Sequence, residues 1–411
     1  MLSKEVVILP KIATNELFAE TTNQFLKPFK EIIEPDIHNG MYLNFDIDIG
    51  SGILKESPVI RLAKSKDAKE ITEIYKEVYN GTYPYKEMEN EEKVRKMIES
   101  SNFIWLIFEN KMAKIVGCFT YQLNFKERRG YMRGFMLKKK FQGQIDAVKA
   151  TIGSMIGMWS TYKDKILMWY CENRTAHTKS QYMASVCGIK PIAFFPNKDV
   201  FFNEIESDIM SIIYDKKVIY EYRSKKNPKI IPEALNCFYY STNRYKLGPI
   251  DIINPEINLN PLKLIEIKKK IRIKIQKDKF GYETIEFSIK NSNSYFKFLF
   301  TPQVQNIEKV KYFVDNIEEL FVFIQEFKRC AKEFNVRYYE IFVSAYEPYH
   351  QKLLLNAGLK PRGYLPSWKY NEKLDFYEDN IIFNYFRGNI NKNIKLIRES
   401  SLLLTTLGEY K

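Results

Sequence analysis

The chain has 411 residues, 45% of them hydrophobic and 15% aromatic, and a formal net charge of +14. That length and apolar content imply two or three domains with cores of their own and exclude a disordered chain, while 17 Gly and 16 Pro without a period exclude collagenous and low-complexity readings. The net charge is −4 over residues 1–58, +7 over 59–216 and +11 over 217–411, an excess that would suit nucleic acid but that a lysine-, isoleucine- and asparagine-rich composition produces by itself.

In chain order, the start MLSKEVVILPKIATNELF carries one early lysine, a short apolar run and no small-residue cleavage pattern, so it is a poor signal peptide. No apolar run approaches the roughly 18–20 residues of a membrane helix, and a soluble, cytoplasmic protein without a membrane partner is expected. Residues 1–58 form an N-terminal extension of unknown role. VIRLA (59–63) predicts a strand, and Ile71, Ile74, Tyr75 and Val78 at helical spacing behind Asp67 predict a helix over 67–79. After the loop NGTYPYKEM (80–88) come a second helix (91–100), a hairpin of FIWLIFEN and KIVGCFTYQLN, and a third antiparallel strand, GYMRGFMLK (130–138). The loop FQGQ (141–144) leads into a long helix, followed by the strand ILMWYCE (166–172), a helix through SQYMASVCG, and two closing strands, IAFFP and DIMSIIY. This is an α/β order around a mixed, mostly antiparallel sheet.

SQYMASVCGIKPIAFFP (180–196) is echoed 170 residues later by HQKLLLNAGLKPRGYLP (350–366), with Gly188/Gly358, Lys190/Lys360, Pro191/Pro361 and Pro196/Pro366 shared. The segments around both copies agree in order, so the reading is two tandem domains: 59–216, a proline-rich connector at 217–262, and 263–411. Five scattered cysteines (118, 171, 187, 237, 330) and three histidines (38, 177, 350) indicate neither a disulfide framework nor a metal site.

LKKKFQGQIDA (137–147) and ENRTAHTKSQYMASVCGI (172–189) resemble the two signature segments of the GNAT acyltransferase superfamily. In the first, Gln142 and Ala147 match, while Ile145 stands where glycine is usual. The resemblance implies two GNAT-like domains, acetyl-CoA as acyl donor, and an amine-bearing acceptor acylated directly in a ternary complex. It assigns coenzyme A contacts to Met136 and Leu137 at the strand end, to Gln142, Gly143, Gln144, Ile145, Asp146 and Ala147 in the strand-to-helix loop, and to His177 and Ser180. A loop before a helix N-terminus suits pyrophosphate because free N–H groups and the helix dipole point at it. Lys138, Lys139 and Lys140 read more simply as a solvated face.

Aligned on Gly188, Glu172 falls at the general base of ribosomal-protein acetyltransferases, and Ala184 falls where many members have a tyrosine acid. The alternative base-free reading of Glu172 is a strand-end residue paired with Arg174. Tyr182, about 200° round the helix from Ala184, faces away. In the second copy Phe342 replaces Glu172 and no glycine occurs between Gly281 and Gly358, implying a non-catalytic domain. A different class, a non-catalytic acyl-CoA-binding or scaffolding protein, is favoured by Ile145 and Ala184. The acceptor is not specified; Glu77, Glu87 and Glu89 are the acids near its expected place.

Overall fold

The computed structural model describes residues 9–47, 55–391 and 393–409. Residues 1–8 and 48–54 of the N-terminal extension, and 392, 410 and 411 of the second interval, lie outside the described residues. Among the described residues no helix is long and apolar enough to cross a membrane. The chain is mixed α/β and divides into two compact units. Unit 1 takes residues up to Glu172, Lys179–Lys190 and Ser211–Val218; unit 2 takes Asn173–Thr178, Pro191–Met210 and the chain from Ile219 onward. The interval 59–216 is therefore shared between the units, and most of the connector interval is structured within unit 2.

Unit 1 contains, in order, β1 (Lys11–Ile12), α1 (Thr22–Leu26), β2 (Asp46–Ile47), β3 (Val59–Leu62), α2 (Ala68–Tyr79), α3 (Glu91–Ile98), β4 (Phe103–Glu109), β5 (Ile115–Asn124), β6 (Arg129–Leu137), α4 (Ala147–Tyr162), β7 (Met168–Arg174) as far as Glu172, and α5 (Lys179–Val186). From β3 to β7 this is the order that the periodicities predict. The strands lie side by side as β7-β6-β5-β4-β3, antiparallel throughout except for the parallel pair β6–β7. α2 buries Ile71, Ile74 and Tyr75 and closes on Asn80, whose short polar side chain tolerates the left-handed φ of 51°. Asp67 heads α2 as expected. Burial opposes its ionisation, but hydrogen bonds from Arg61 and the Lys64 N–H outweigh burial and hold its carboxyl below the usual range.

α4 is buried along Lys149–Trp159, unlike an ordinary amphipathic surface helix. The N-terminal extension is the reason. Its Phe25, Phe29, Ile37, Met41, Leu43 and Phe45 share one core with Ile152, Met155, Ile156 and Trp159 of α4. A side chain at Gly153 or Gly157 would meet Leu43 at 2.5 Å or Ile37 at 2.3 Å, so both glycines permit the close approach. Residues 9–47 thus cover a face of α4 that would otherwise be an exposed apolar surface.

Unit 2 contains most of β8 (Lys190–Phe201), the first part of β9 (Glu204–Tyr214) and the end of α6 (Lys216–Tyr220). Then come β10 (Lys229–Ile230), α7 (Leu235–Tyr245), β11 (Asp251–Ile252), α8 (Pro261–Lys270), β12 (Ile271–Lys277), β13 (Glu283–Ile289), β14 (Tyr295–Thr301), β15 (Asn306–Phe313), α9 (Ile317–Glu333), β16 (Tyr338–Ser344), α10 (Pro348–Asn356), β17 (Lys360–Asn371), β18 (Phe376–Phe386) and α11 (Arg398–Leu407). The interval read as a connector is built in: α7 buries Cys237 and Phe238, and Ser241 donates to the Tyr364 carbonyl at 2.7 Å. Buried Asp379 accepts from Arg223, from the Tyr364 hydroxyl and from the Ser367 N–H. The sequence echo has a structural counterpart, because β16, α10 and β17 follow in the order and at nearly the lengths of β7, α5 and β8.

Candidate functional site

β6 and β7 pair in parallel at Arg129↔Met168, Gly130↔Trp169, Tyr131↔Tyr170 and Met132↔Cys171, and there the ladder stops. β6 continues past that rung to Leu137. Beyond the last rung of the parallel ladder the edge of β6 over Arg133–Leu137 carries N–H and C=O groups open to another partner, a polar slot along that strand. On its other edge β6 is bulged, since the register with β5 shifts between Cys118↔Met136 and Thr120↔Arg133. Gly134 lies in the bulge with a φ of +66°.

Alternation sets what faces the slot. Met132 and Trp169 turn into the core shared with α4, so Tyr131 and Arg133 of β6 and Tyr170 and Glu172 of β7 turn to the opposite face. Tyr131 and Tyr170 stack with ring centres 4.9 Å apart. Burial and the nearby Glu172 carboxylate keep the Tyr131 phenol well above its ordinary value, so it stays protonated. Tyr83 is buried on this side, 4.5 Å from Tyr79 and 5.0 Å from Tyr75 between ring centres. Glu87 faces Arg133, 3.7 Å from its guanidinium. Sequence reasoning singled out Glu172 and Glu87 but missed Tyr131, Arg133 and Tyr170; the alternation in GYMRGFM carries the signal for the first two.

Met136 and Leu137 end β6 with buried side chains, leaving only their backbone at the slot. Past β6, a 3-10 turn over Lys139–Phe141 leads to Gly143, whose φ of +83° explains the glycine, since a side chain there would meet nothing. The loop is largely bonded to itself and to the extension. The Gln142 side chain donates to the Leu137 carbonyl at 3.1 Å and that of Gln144 to the Lys140 carbonyl at 2.7 Å. The Ile145 N–H donates to the Phe141 carbonyl, while the Gln144 carbonyl and the Asp146 N–H pair with the backbone of Glu56. Ile145 is buried and its side chain faces the core rather than a ligand. Asp146 is the N-cap of α4 and accepts from the Val148 and Lys149 N–H groups. Ala147 opens α4 half-buried.

Ser180, near the start of α5, has a buried Oγ without a hydrogen-bond partner among the described residues. His177 belongs to the segment Asn173–Thr178 of unit 2, whereas the loop belongs to unit 1. Arg174 pairs with Glu206, at 2.6 Å, within unit 2. Ala184 is buried and Tyr182 is exposed. Burial pushes the Cys187 thiol well up, in keeping with a core residue. Lys66, Glu70, Lys114, Lys138, Lys140 and Phe141 line a cleft of about 390 Å³ beside the loop, where Lys138 is paired with Glu70.

The cap leads to a prediction. A carboxylate at a helix N-terminus competes with any phosphate for the same N–H groups and the same end of the dipole. Asp146→Ser keeps a capping oxygen and removes the charge, so coenzyme A should bind about two- to fivefold more tightly by calorimetry, the equivalent of roughly 0.3–1 kcal/mol. Weaker binding would place the phosphates away from this helix end.

No protein-family model matches the chain, and no curated protein matches it. Among solved structures, part of the chain is similar to acetyltransferases. One is a variant of the spermidine N-acetyltransferase SpeG from Vibrio cholerae, 14% identical over 38% of this chain and 94% of that one, with a TM-score of 0.33. Another is the ribosomal-protein-S5-alanine acetyltransferase from Vibrio fischeri, 15% identical over 40% of this chain and 96% of that one, with a TM-score of 0.33.

Proposed function

We propose that the chain is an N-acyltransferase that moves an acetyl group from acetyl-CoA to an amine. The observation that carries this reading is the end of the parallel β6–β7 ladder at Met132↔Cys171, with Glu172 the next residue of β7 and a bulge in β6 just beyond the last rung. The edge of β6 over Arg133–Leu137 offers N–H groups to the thioester carbonyl and the pantetheine amides. Glu172 accepts a proton from the acceptor ammonium, directly or through water, which frees the nitrogen lone pair. The nitrogen then bonds to the acyl carbon, the carbon–sulfur bond breaks, and the departing CoA thiolate takes up the second proton that the nitrogen sheds as the amide forms. N–H groups arranged before the reaction stabilise the charge that develops on the carbonyl oxygen. At the phosphate end the fit is narrower: Gly143, Ala147 and the lysines of the neighbouring cleft are the groups that remain for it.

The unit 2 counterpart is read as non-catalytic. β15 and β16 also pair in parallel and part, after Asn306↔Tyr338 and Ile307↔Tyr339. There Phe342 stacks on Trp368 with ring centres 5.4 Å apart, and α9 begins with Glu318 and Glu319, which repel phosphate. The alternative of a non-catalytic acyl-CoA-binding or scaffolding protein is favoured by Ala184, buried where many members of the resembled superfamily have a tyrosine acid. Thiol release from acetyl-CoA across an amine panel tests the reading: turnover with some amine supports it, and tight CoA binding with no release above hydrolysis for any amine favours the alternative.

A further inference from the structure

Arg133 is the first residue of β6 beyond the last rung to β7, and Glu172 is the first residue of β7 beyond the same rung. Both are on the tyrosine-lined face, so the cationic and the anionic residue occupy neighbouring positions of two adjacent strands. The Arg133 side chain is 16% exposed, and its ion-pair partner, Glu87, is 3.7 Å away, beyond hydrogen-bond distance. Its Nε is buried and has no hydrogen-bond partner among the described residues. A buried guanidinium with an unused donor is costly unless something completes it, and the fork geometry of arginine suits a carboxylate.

We propose that the acceptor is a free α-amino acid, held by its carboxylate on Arg133 with its amine at Glu172. This rests on the acyl-transfer reading and deepens it. In an α-amino acid the carboxylate and the ammonium are carried by one carbon, so a single small ligand can engage residues at two neighbouring strand positions. A polyamine or an unmodified protein N-terminus presents an amine without that adjacent carboxylate and would leave Arg133 uncompleted. The rings of Tyr131, Tyr170 and Tyr83 on the same face provide a wall for an apolar or aromatic side chain. Arg133 is thus a specificity-determining residue.

The test uses the full chain and matched pairs of an L-amino acid and its decarboxylated amine: L-phenylalanine and phenethylamine, L-leucine and isoamylamine, L-lysine and cadaverine, with spermidine as a further carboxylate-free amine. Thiol release should favour the amino acid of at least one pair by roughly 10–100-fold in kcat/KM, with the difference carried by KM, because a polar site left unpaired rejects the analogue that lacks the matching group. Arg133→Gln should remove that preference and Arg133→Lys restore part of it. Equal or better use of the amines, or a preference that survives Arg133→Gln, overturns the proposal.

Calorimetric binding of the same pairs in the presence of CoA separates this proposal from the catalytic reading. Amino-acid binding that Arg133→Gln abolishes, with no turnover of any acceptor, supports the carboxylate site and counts against acyl transfer. No amino-acid binding at all overturns the site. Should Arg133→Gln fail to fold, Glu87→Gln serves instead: it removes the competing carboxylate and should tighten amino-acid binding several-fold, and weaker binding in that variant overturns the proposal.

Discussion

Glu172→Gln should lower turnover at neutral pH by roughly 10²–10⁴-fold while leaving CoA affinity nearly intact. The amide keeps the shape and an acceptor oxygen but takes up no proton, so an acceptor amine arriving as its ammonium stays protonated and cannot attack. Part of the loss should return at high pH, where more of the amine is already neutral and needs no base. The comparison requires conditions in which chemistry, rather than product release, limits the rate. An unchanged rate would assign Glu172 to a structural role and move the base to water or to an acid such as Glu87.

The second large effect falls on the bulge. Gly134→Ala places a methyl group in a left-handed backbone, at about 1–2 kcal/mol, and its Cβ would lie 2.1 Å from the Tyr75 hydroxyl oxygen. Tyr75 is fully buried and packed edge-on against Tyr83, with ring centres 5.0 Å apart, so it has little room to withdraw. Overpacking of this kind costs a further 1–3 kcal/mol or so, and the total of about 2–5 kcal/mol should appear in denaturant unfolding of unit 1 together with loss of thiol release. Gly143→Ala is the control. It shares the positive φ but would meet nothing within 4 Å, so it should show only the backbone cost. Equal destabilisation by the two substitutions would show that Tyr75 yields and that the bulge is not rigid.

The order of elements from β3 to β7 is legible in the sequence because, α4 apart, their apolar residues follow periods of two or of three to four, and caps such as Asn80 after α2 and Asn90 before α3 mark their bounds. The extension is not legible in that way. Phe25, Phe29, Ile37 and Leu43 are spaced to fit the surface of α4 rather than a regular element of their own, so no period announces them. The mostly apolar content of α4 over Ala147–Trp159, broken only by Lys149, Thr151 and Ser154 and with Gly153 and Gly157 four residues apart, is the visible trace of that second layer. In the candidate site, the resemblance draws attention to the loop and to Glu172, which are local in sequence. The slot is a non-local property: it depends on where a parallel ladder stops, and Arg133 acquires its meaning only from being level with Glu172. Asp146 shows the converse, since its capping of α4 follows from its place before a helix, yet its conflict with phosphate appears only once its bonds to Val148 and Lys149 are seen.

The acyl donor is expected in the opening where the β6–β7 ladder ends. A crystal structure of the full chain with CoA tests it most directly. Pantetheine is expected along Arg133–Leu137, with its thiol within reach of Glu172 and its phosphates by Gly143 and the lysines near the loop. CoA lying elsewhere on the chain, or failing to bind at millimolar concentration while the opening stays filled by the protein's own side chains, would contradict it.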